Sequence, residues 1–427
     1  MQKKLIALAV ASLASGAAFA QTNVTIYGIV DAGYVYSWGD PGRVAGTRFD
    51  NAGANIKGTN TFSGVQSGLL AGSRIGFKGE EALGNGLKAI FTLEYALDID
   101  GNFGVGASAS GLAARQQFVG LSSANLGTVA LGRQYAPGYV ASANNDAFGG
   151  ALFSPQSFLT SNAGNTITPN SGARWNNAIT YTSPNWGGFT GKAIYSFGEN
   201  NNGGSFLSGT GTGAGVSTTD NSRYGLGFNF ANGPVNVDLV YQVRQDVQTA
   251  VTAPTLAAPF PNNSTLPAAT YNASSFPGNE RAFLVQGNGK DINEWYIGGS
   301  FDLKMVKLMA SYQGQNDKNP ANLDNQTWSV GAVIPVLSAS NVHLSYAQQM
   351  WDQGSNVLGQ KLLNGNSDVF AIGWTTKLSK RTTLYTGYVW ANNDRNSVAN
   401  GPVAGLPVTA ARDEQNQTFL AGINHSF

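Results

Sequence analysis

The sequence predicts an all-β chain, a sixteen-stranded antiparallel transmembrane β-barrel, and three observations predict it. First, only 11% of its 427 residues are charged while 42% are hydrophobic. A soluble domain carries about 25% charged residues, and a helical membrane protein needs apolar runs of about 20 residues. Past the N-terminus no such run occurs. Second, apolar residues recur at alternate positions, the period of a strand with one face to lipid and one to water. Third, the links between strands alternate between tight turns and long loops, as they do on the two rims of a barrel that spans a membrane.

The chain opens on a leader. Lys3 and Lys4 precede an apolar stretch from Leu5 to Leu13, and Ala18-Phe19-Ala20 forms a small-x-small cleavage site. Residues 1–20 are therefore a cleaved signal peptide, and residues 21–427 are one barrel domain beginning at Gln21. Losing Lys3 and Lys4 takes the 25 basic residues to 23 against 24 acidic ones, a net charge of −1. No basic field for nucleic acid remains.

The alternation is clearest in five stretches. Val24, Ile26 and Val30 oppose Thr25, Tyr27 and Asp31, and Leu87, Ala89, Phe91, Leu93 and Tyr95 oppose Lys88, Thr92 and Glu94. Phe189 to Phe197, Val235 to Arg244 and Val342 to Gln349 repeat the pattern. The strands fall near 23–36, 67–79, 86–98, 113–122, 127–134, 173–183, 188–198 and 222–231. They continue near 234–246, 291–302, 306–316, 325–335, 340–350, 366–378, 382–393 and 416–427. Turns such as Pro184-Asn185-Trp186-Gly187 and Leu378-Ser379-Lys380-Arg381 join them on one rim, and loops of about ten to more than forty residues on the other. An even strand number lets the first and last strands pair, so no sheet edge faces hydrocarbon. Aromatic residues near the strand ends, among them Tyr34, Trp186, Trp295 and Trp374, suit the headgroup layers.

Chemistry beyond transport finds no footing. The chain has no cysteine and two histidines, His343 and His425, neither at metal or catalytic spacing. The glycine run Gly209–Gly215 falls in a long loop rather than between a strand and a helix, so it does not read as a phosphate cradle. Neither a cofactor nor an enzyme activity is expected. The last strand alternates Phe419, Ala421, Ile423, His425 and Phe427, and its closing Phe427 resembles the signal read by the outer-membrane barrel-assembly machinery.

Several stretches resemble one family. Ser73-Arg74-Ile75-Gly76-Phe77-Lys78-Gly79-Glu80-Glu81 and the residues after it to Lys88, Gln117-Phe118-Val119-Gly120-Leu121, and Gly127 to Gln134 resemble the early hairpins of the general porins of Neisseria and the Burkholderia–Comamonas–Bordetella group. Asn176-Asn177-Ala178-Ile179, Leu378-Ser379-Lys380-Arg381-Thr382 and Gly422-Ile423-Asn424-His425-Ser426-Phe427 extend the likeness, which weakens in the long loops. The resemblance implies an outer-membrane homotrimer whose third loop folds inward to narrow a water-filled pore for ions and small hydrophilic solutes. It implies export past periplasmic chaperones, and surroundings of outer-membrane lipid and lipopolysaccharide. A substrate-specific channel, for example for anionic nutrients, is the alternative.

Within that frame the pore charges follow from parity. Arg74 and Lys78 oppose Ile75 and Phe77, and Arg174 opposes Ile179 and Tyr181, so all three face inward. Arg115 shares parity with Val119 and Leu121 and needs a bulge to turn in; Arg133 shares parity with Val129 and Leu131 and sits where its strand bends into the third loop. The family guides anions with wall arginines near the constriction, and Arg74, Arg115 and Arg174 lie where these are expected, with Gln116 the alternative to Arg115. Asp146 is the only carboxylate in the third loop. Basic groups thus outnumber acidic ones at the neck, which favours modest anion preference.

Overall fold

In the computed structural model the described residues are 23–40, 60–101, 113–198, 221–248, 288–319, 323–353, 365–393 and 415–427. The leader and its cleavage residues Ala20 and Gln21 lie outside them, as does the glycine run. The strands are β1 (Asn23–Asp40), β2 (Asn60–Ser67), β3 (Arg74–Gly84), β4 (Leu87–Ala96), β5 (Ala114–Ser123) and β6 (Gly127–Tyr135). Then come β7 (Arg174–Thr182), β8 (Phe189–Ser196), β9 (Arg223–Asn232), β10 (Val235–Gln248), β11 (Asn288–Asp302) and β12 (Lys307–Asp317). The chain ends with β13 (Leu323–Leu337), β14 (Ser340–Gln353), β15 (Gly365–Lys377), β16 (Thr382–Asn393) and β17 (Gln415–Ser426). Two short helices, α1 (Pro137–Asn144) and α2 (Pro155–Asn162), lie between β6 and β7.

These seventeen segments make sixteen barrel strands, because β2 and β3 both pair with β1 end to end. Each strand is antiparallel to its neighbours, and β17 pairs with β1 from Ile29↔Ser426 to Asp40↔Gln415, closing the sheet. Closure gives every ladder edge a partner. The turn Gly84-Asn85-Gly86 shows why the short rim tolerates such tight links. All three residues have positive φ (92°, 51° and 76°), a region open to glycine and tolerated by asparagine.

The expected single strand over 67–79 is interrupted. Residues 68–73 leave the ladder, starting at Gly68 with φ of 73°, and Leu69 is buried completely. Consecutive apolar residues such as Leu69 and Leu70 cannot both face outward in a strand, whose side chains alternate; the chain resolves this by bulging out of register. A buried carboxylate holds the bulge. Asp31 accepts hydrogen bonds from the amides of Leu70 (3.4 Å) and Ala71 (3.2 Å), from the Tyr385 hydroxyl (2.8 Å) and from Asn424 Nδ2 (2.7 Å). The link between β12 and β13 is five residues, 318–322, shorter than expected. Asp324 fastens it by accepting from the Asp317 amide at 2.6 Å.

Outward-facing positions carry Val24, Ile26, Val119, Leu131, Phe228, Ile297 and Ile372, all exposed. The opposite face is not uniformly polar. On β1 and β14 to β17, Val35, Ala347, Val369, Ala371, Val389 and Leu420 are buried in one apolar cluster with Phe148, Phe153, Phe158 and Leu159. These residues depart from the expected apolar-out, polar-in alternation, and the segment between β6 and β7 supplies their apolar partners.

Candidate functional site

The site grows from the broken strand. The carbonyl of Gly72, inside the break, accepts from Arg74 Nε at 2.8 Å. A Cβ at Gly72 would sit 3.0 Å from Arg115 Nη1 and 3.9 Å from Arg74 Nη2, so both guanidiniums flank this one glycine. Arg115 turns inward through a bulge: Glu94 pairs with Gln116 but Tyr95 pairs with Ala114, leaving Arg115 as the extra residue. Its Nε donates to Glu94 Oε1 at 2.8 Å, and Arg74 Nη1 lies 3.8 Å from the same oxygen. Glu94 also accepts from the hydroxyls of Tyr27 (3.0 Å) and Tyr135 (3.2 Å).

Two tyrosines at i and i+4, at the entry to α1, complete the cluster. Tyr135 and Tyr139 stack with centroids 3.7 Å apart and planes within 6°. Arg174 lies over Tyr139 at 5.0 Å and over Tyr135 at 5.6 Å, cation–π distances. The Tyr139 hydroxyl accepts from Arg115 Nη2 and Arg174 Nη2, both at 3.4 Å. Burial raises the cost of ionising Tyr139, yet the Arg174 and Arg115 guanidiniums outweigh it and hold the phenol below its ordinary value. Three guanidiniums face one carboxylate, so with neutral tyrosines the cluster carries +2. Such a cluster attracts anions, and low-dielectric surroundings strengthen its field.

The remaining residues expected from sequence stand elsewhere. Lys78 faces the same way as Arg74, its Nζ 5.3 Å from the Tyr27 ring. Arg133 sits at a register shift between Gly132 and Gln134. Its guanidinium donates to the carbonyls of Ala114 (2.9 Å) and Arg174 (3.2 Å) and to Asn176 Oδ1. It therefore braces the strand ends around the site. Asp146 accepts from the Gly150 amide at 2.6 Å. Burial pushes its carboxyl up, against the Ser154 hydroxyl, the Gly150 and Phe148 amides and nearby His343; no arginine is among these partners. Phe427 exchanges 3.1 Å backbone hydrogen bonds with Gly28, and its ring lies where a Gly28 side chain would be. The stacked tyrosines escaped the sequence reading. Their four-residue spacing beside Pro137 was the available signal, but only β7 brings Arg174 over them.

Residues 136–173 are hydrogen-bonded to β10, β11, β14 and the stretch 68–73 at several points. Gly138 N donates to Gln242 Oε1 (2.9 Å), Gln242 Nε2 donates to the Thr166 carbonyl (3.1 Å), and Asn145 Nδ2 donates to Asp238 (2.8 Å). The Thr166 amide donates to buried Glu294 at 2.6 Å, and the Leu152 amide donates to the Leu69 carbonyl at 3.0 Å. His343 Nδ1 lies 2.7 Å from the Ala147 carbonyl.

A closed antiparallel barrel with an apolar exterior and a cationic cluster on its inner wall is a membrane channel. The family model for Gram-negative porins matches residues 7–396, and the chain belongs to that family. An outer membrane porin protein of Bordetella pertussis is 30% identical over 424 residues, covering 92% of this chain and 95% of that protein. Outer membrane porin protein 32 of Delftia acidovorans is 29% identical over 100% of both chains. The solved anion-selective porin from Comamonas acidovorans is 25% identical with a TM-score of 0.66, covering 95% of this chain and 100% of that one. The protein is an outer-membrane channel for passive diffusion.

Proposed function

We propose that the channel prefers small hydrophilic anions, and that Arg74, Arg115 and Arg174 set this preference at a constriction formed by the segment between β6 and β7. The observation that carries the reading is the +2 cluster around Glu94, Tyr135 and Tyr139. The anion-selective Comamonas acidovorans porin supports the sign. The inward course of the third loop is supported by its ties to Gln242, Asp238, Glu294 and Leu69 and by its apolar packing on β1 and β14 to β17. That packing, with Ala136 buried against Trp175, Ala178 and Ile194 of β7 and β8, leaves the arc from β3 to β5, which bears Arg74 and Arg115, as the side for the water path. We extend the reading to a homotrimer assembled by the barrel-assembly machinery among outer-membrane lipid and lipopolysaccharide, after periplasmic chaperoning and removal of residues 1–20.

Single-channel recording in a salt gradient tests the proposal. An anion-sided reversal potential is expected, with three equal closing steps for the trimer. A cation-sided potential would overturn the selectivity reading, and single steps with monomers in mild detergent the trimer.

A further inference from the structure

Residues 68–73, which break the ladder between β2 and β3, touch both sides of the proposed constriction. On one side the Leu69 carbonyl accepts from the Leu152 amide at 3.0 Å, tying the segment between β6 and β7 to the wall. On the other, the Gly72 carbonyl accepts from Arg74 Nε at 2.8 Å, and a Cβ at Gly72 would sit 3.0 Å from Arg115 Nη1. At most about 11 Å of backbone separates the Leu69 and Gly72 attachments. One short piece of chain therefore carries the loop segment and two of the three arginines at once.

Asp31, fully buried on β1, holds this piece in place. Each of its carboxylate oxygens accepts one main-chain amide, Leu70 on Oδ1 and Ala71 on Oδ2. Each also accepts one side-chain donor, the Tyr385 hydroxyl on Oδ1 and Asn424 Nδ2 on Oδ2. Ser73 fastens the far end: its Oγ accepts from the Asp31 amide at 3.0 Å and donates to the Asp31 carbonyl at 2.9 Å. The same carbonyl accepts from the Gly68 amide at 2.8 Å, so one residue holds both ends of the stretch.

We propose that Asp31 and Ser73 are positioning residues that set the spacing between the loop segment and the pair Arg74 and Arg115, so that pore width and ion preference are adjusted together; the inference rests on the constriction and arginine roles proposed above. A shift of residues 69–72 moves the Leu152 contact and the Gly72 contacts as one piece. The four donors on Asp31 are not equivalent. Tyr385 can rotate its hydroxyl and Asn424 can turn its amide over, because both groups donate and accept. The Leu70 and Ala71 amides only donate. Asp31→Asn keeps the shape but puts an NH2 in place of one oxygen. In either orientation that NH2 meets one of the two amides, since each oxygen now serves one of them. The substitution therefore releases the stretch, while the side chains of Tyr385 and Asn424 adapt.

The test compares Asp31→Asn and Ser73→Ala with Tyr385→Phe, which loses one side-chain donor to Asp31 and keeps both amide bonds. Gel mobility before heating identifies the variants that form folded barrels, and either of the first two suffices. Each full barrel is reconstituted in planar bilayers for single-channel current and reversal potential. Swelling of liposomes in a neutral trisaccharide is measured alongside. Asp31→Asn and Ser73→Ala are expected to pass more current, to admit the sugar faster and to move the reversal potential toward zero. Tyr385→Phe is expected to stay at the parent values. Parent current and parent swelling in the folded Asp31→Asn and Ser73→Ala barrels would overturn the proposal. Equal changes in Tyr385→Phe would overturn it too, since they would mark a general loosening of the barrel closure. Entry of the neutral sugar does not depend on charge. It therefore decides the spacing separately from the arginine reading, which fails if the parent itself shows no anion preference.

Discussion

Arg115 Nε donates to Glu94 Oε1 at 2.8 Å, from a bulge that reverses the parity of the arginine in its own strand. The pair puts the one acid of the cluster under the guanidinium nearest to it. Glu94→Gln is expected to raise anion preference, since it removes a negative charge and keeps the shape. One charge beside a narrow water path is worth about 0.5–1 kcal/mol, roughly a two- to fivefold change in permeability ratio. Reversal potentials at low salt measure it. Arg115→Gln should instead leave buried Glu94 short of its best partner, a change that costs up to roughly 3–5 kcal/mol for a buried pair, and should lower the denaturation midpoint as well as the anion preference.

Arg74→Gln combined with Arg174→Gln should move the reversal potential toward cations while the barrel inserts and migrates normally, because no lipid-facing residue changes. Asp146→Asn is expected to leave it near the parent value, because its carboxyl is held by Gly150 and its other partners are not arginines. An unchanged potential in the double variant would show that these arginines do not set selectivity.

The proposed anion preference is expected to be sensitive to alkali through Tyr139. Its hydroxyl is held below the ordinary tyrosine value by Arg174 and Arg115 against the effect of burial. As pH rises through that depressed value, a phenolate forms and the cluster drops from +2 to +1. Anion preference should therefore start to fall below about pH 10, the unperturbed tyrosine value, and Tyr139→Phe should remove that part of the fall. The sign for stability is the one for a depressed acid: the stabilising contribution is present above the unfolded value and is lost as pH falls through the folded one.

Phe153 is almost fully buried among Phe148, Tyr385 and Leu420. Phe153→Ala removes a large apolar side chain, a change worth about 3–5 kcal/mol in a rigid core. The strand ladders do not depend on it. The expected result is larger, noisier open-channel current with unchanged heat resistance of the barrel, read from planar-bilayer recordings and from gel mobility after heating.

Deleting Phe427 should lower the amount of assembled protein in outer membranes without altering the conductance of the channels that form. Gly28→Val should do the same, because its side chain would enter the space of the Phe427 ring. Normal assembled levels at low expression would count against both.

Alternation made the strands legible because burial on one face forces it; the expected stretches 127–134 and 382–393 match β6 and β16 to within a residue. Breaks in alternation were just as informative. Arg115 and Arg133 had the wrong parity, and each stands at a register shift. The Leu69-Leu70 pair carried the same kind of signal, and it marks the interruption between β2 and β3. Other features depend on contacts far apart in sequence. The apolar inner arc looks like ordinary strand alternation until Phe148 and Phe153 arrive to cover Ala347 and Val369. The stacking of Tyr135 and Tyr139 gains its meaning only from Arg174, more than thirty residues on.

Asp31 draws its partners from both ends of the chain: Leu70 and Ala71 lie near the start, Tyr385 and Asn424 near the finish. A carboxylate in that position is fully satisfied only after the last strand has arrived, so the final step of closure also completes the support of residues 68–73. Gly72, the glycine flanked by Arg74 and Arg115, belongs to that same stretch. An open, half-built wall thus lacks the brace beneath its cationic cluster, and the proposed ion preference would mature together with the seam.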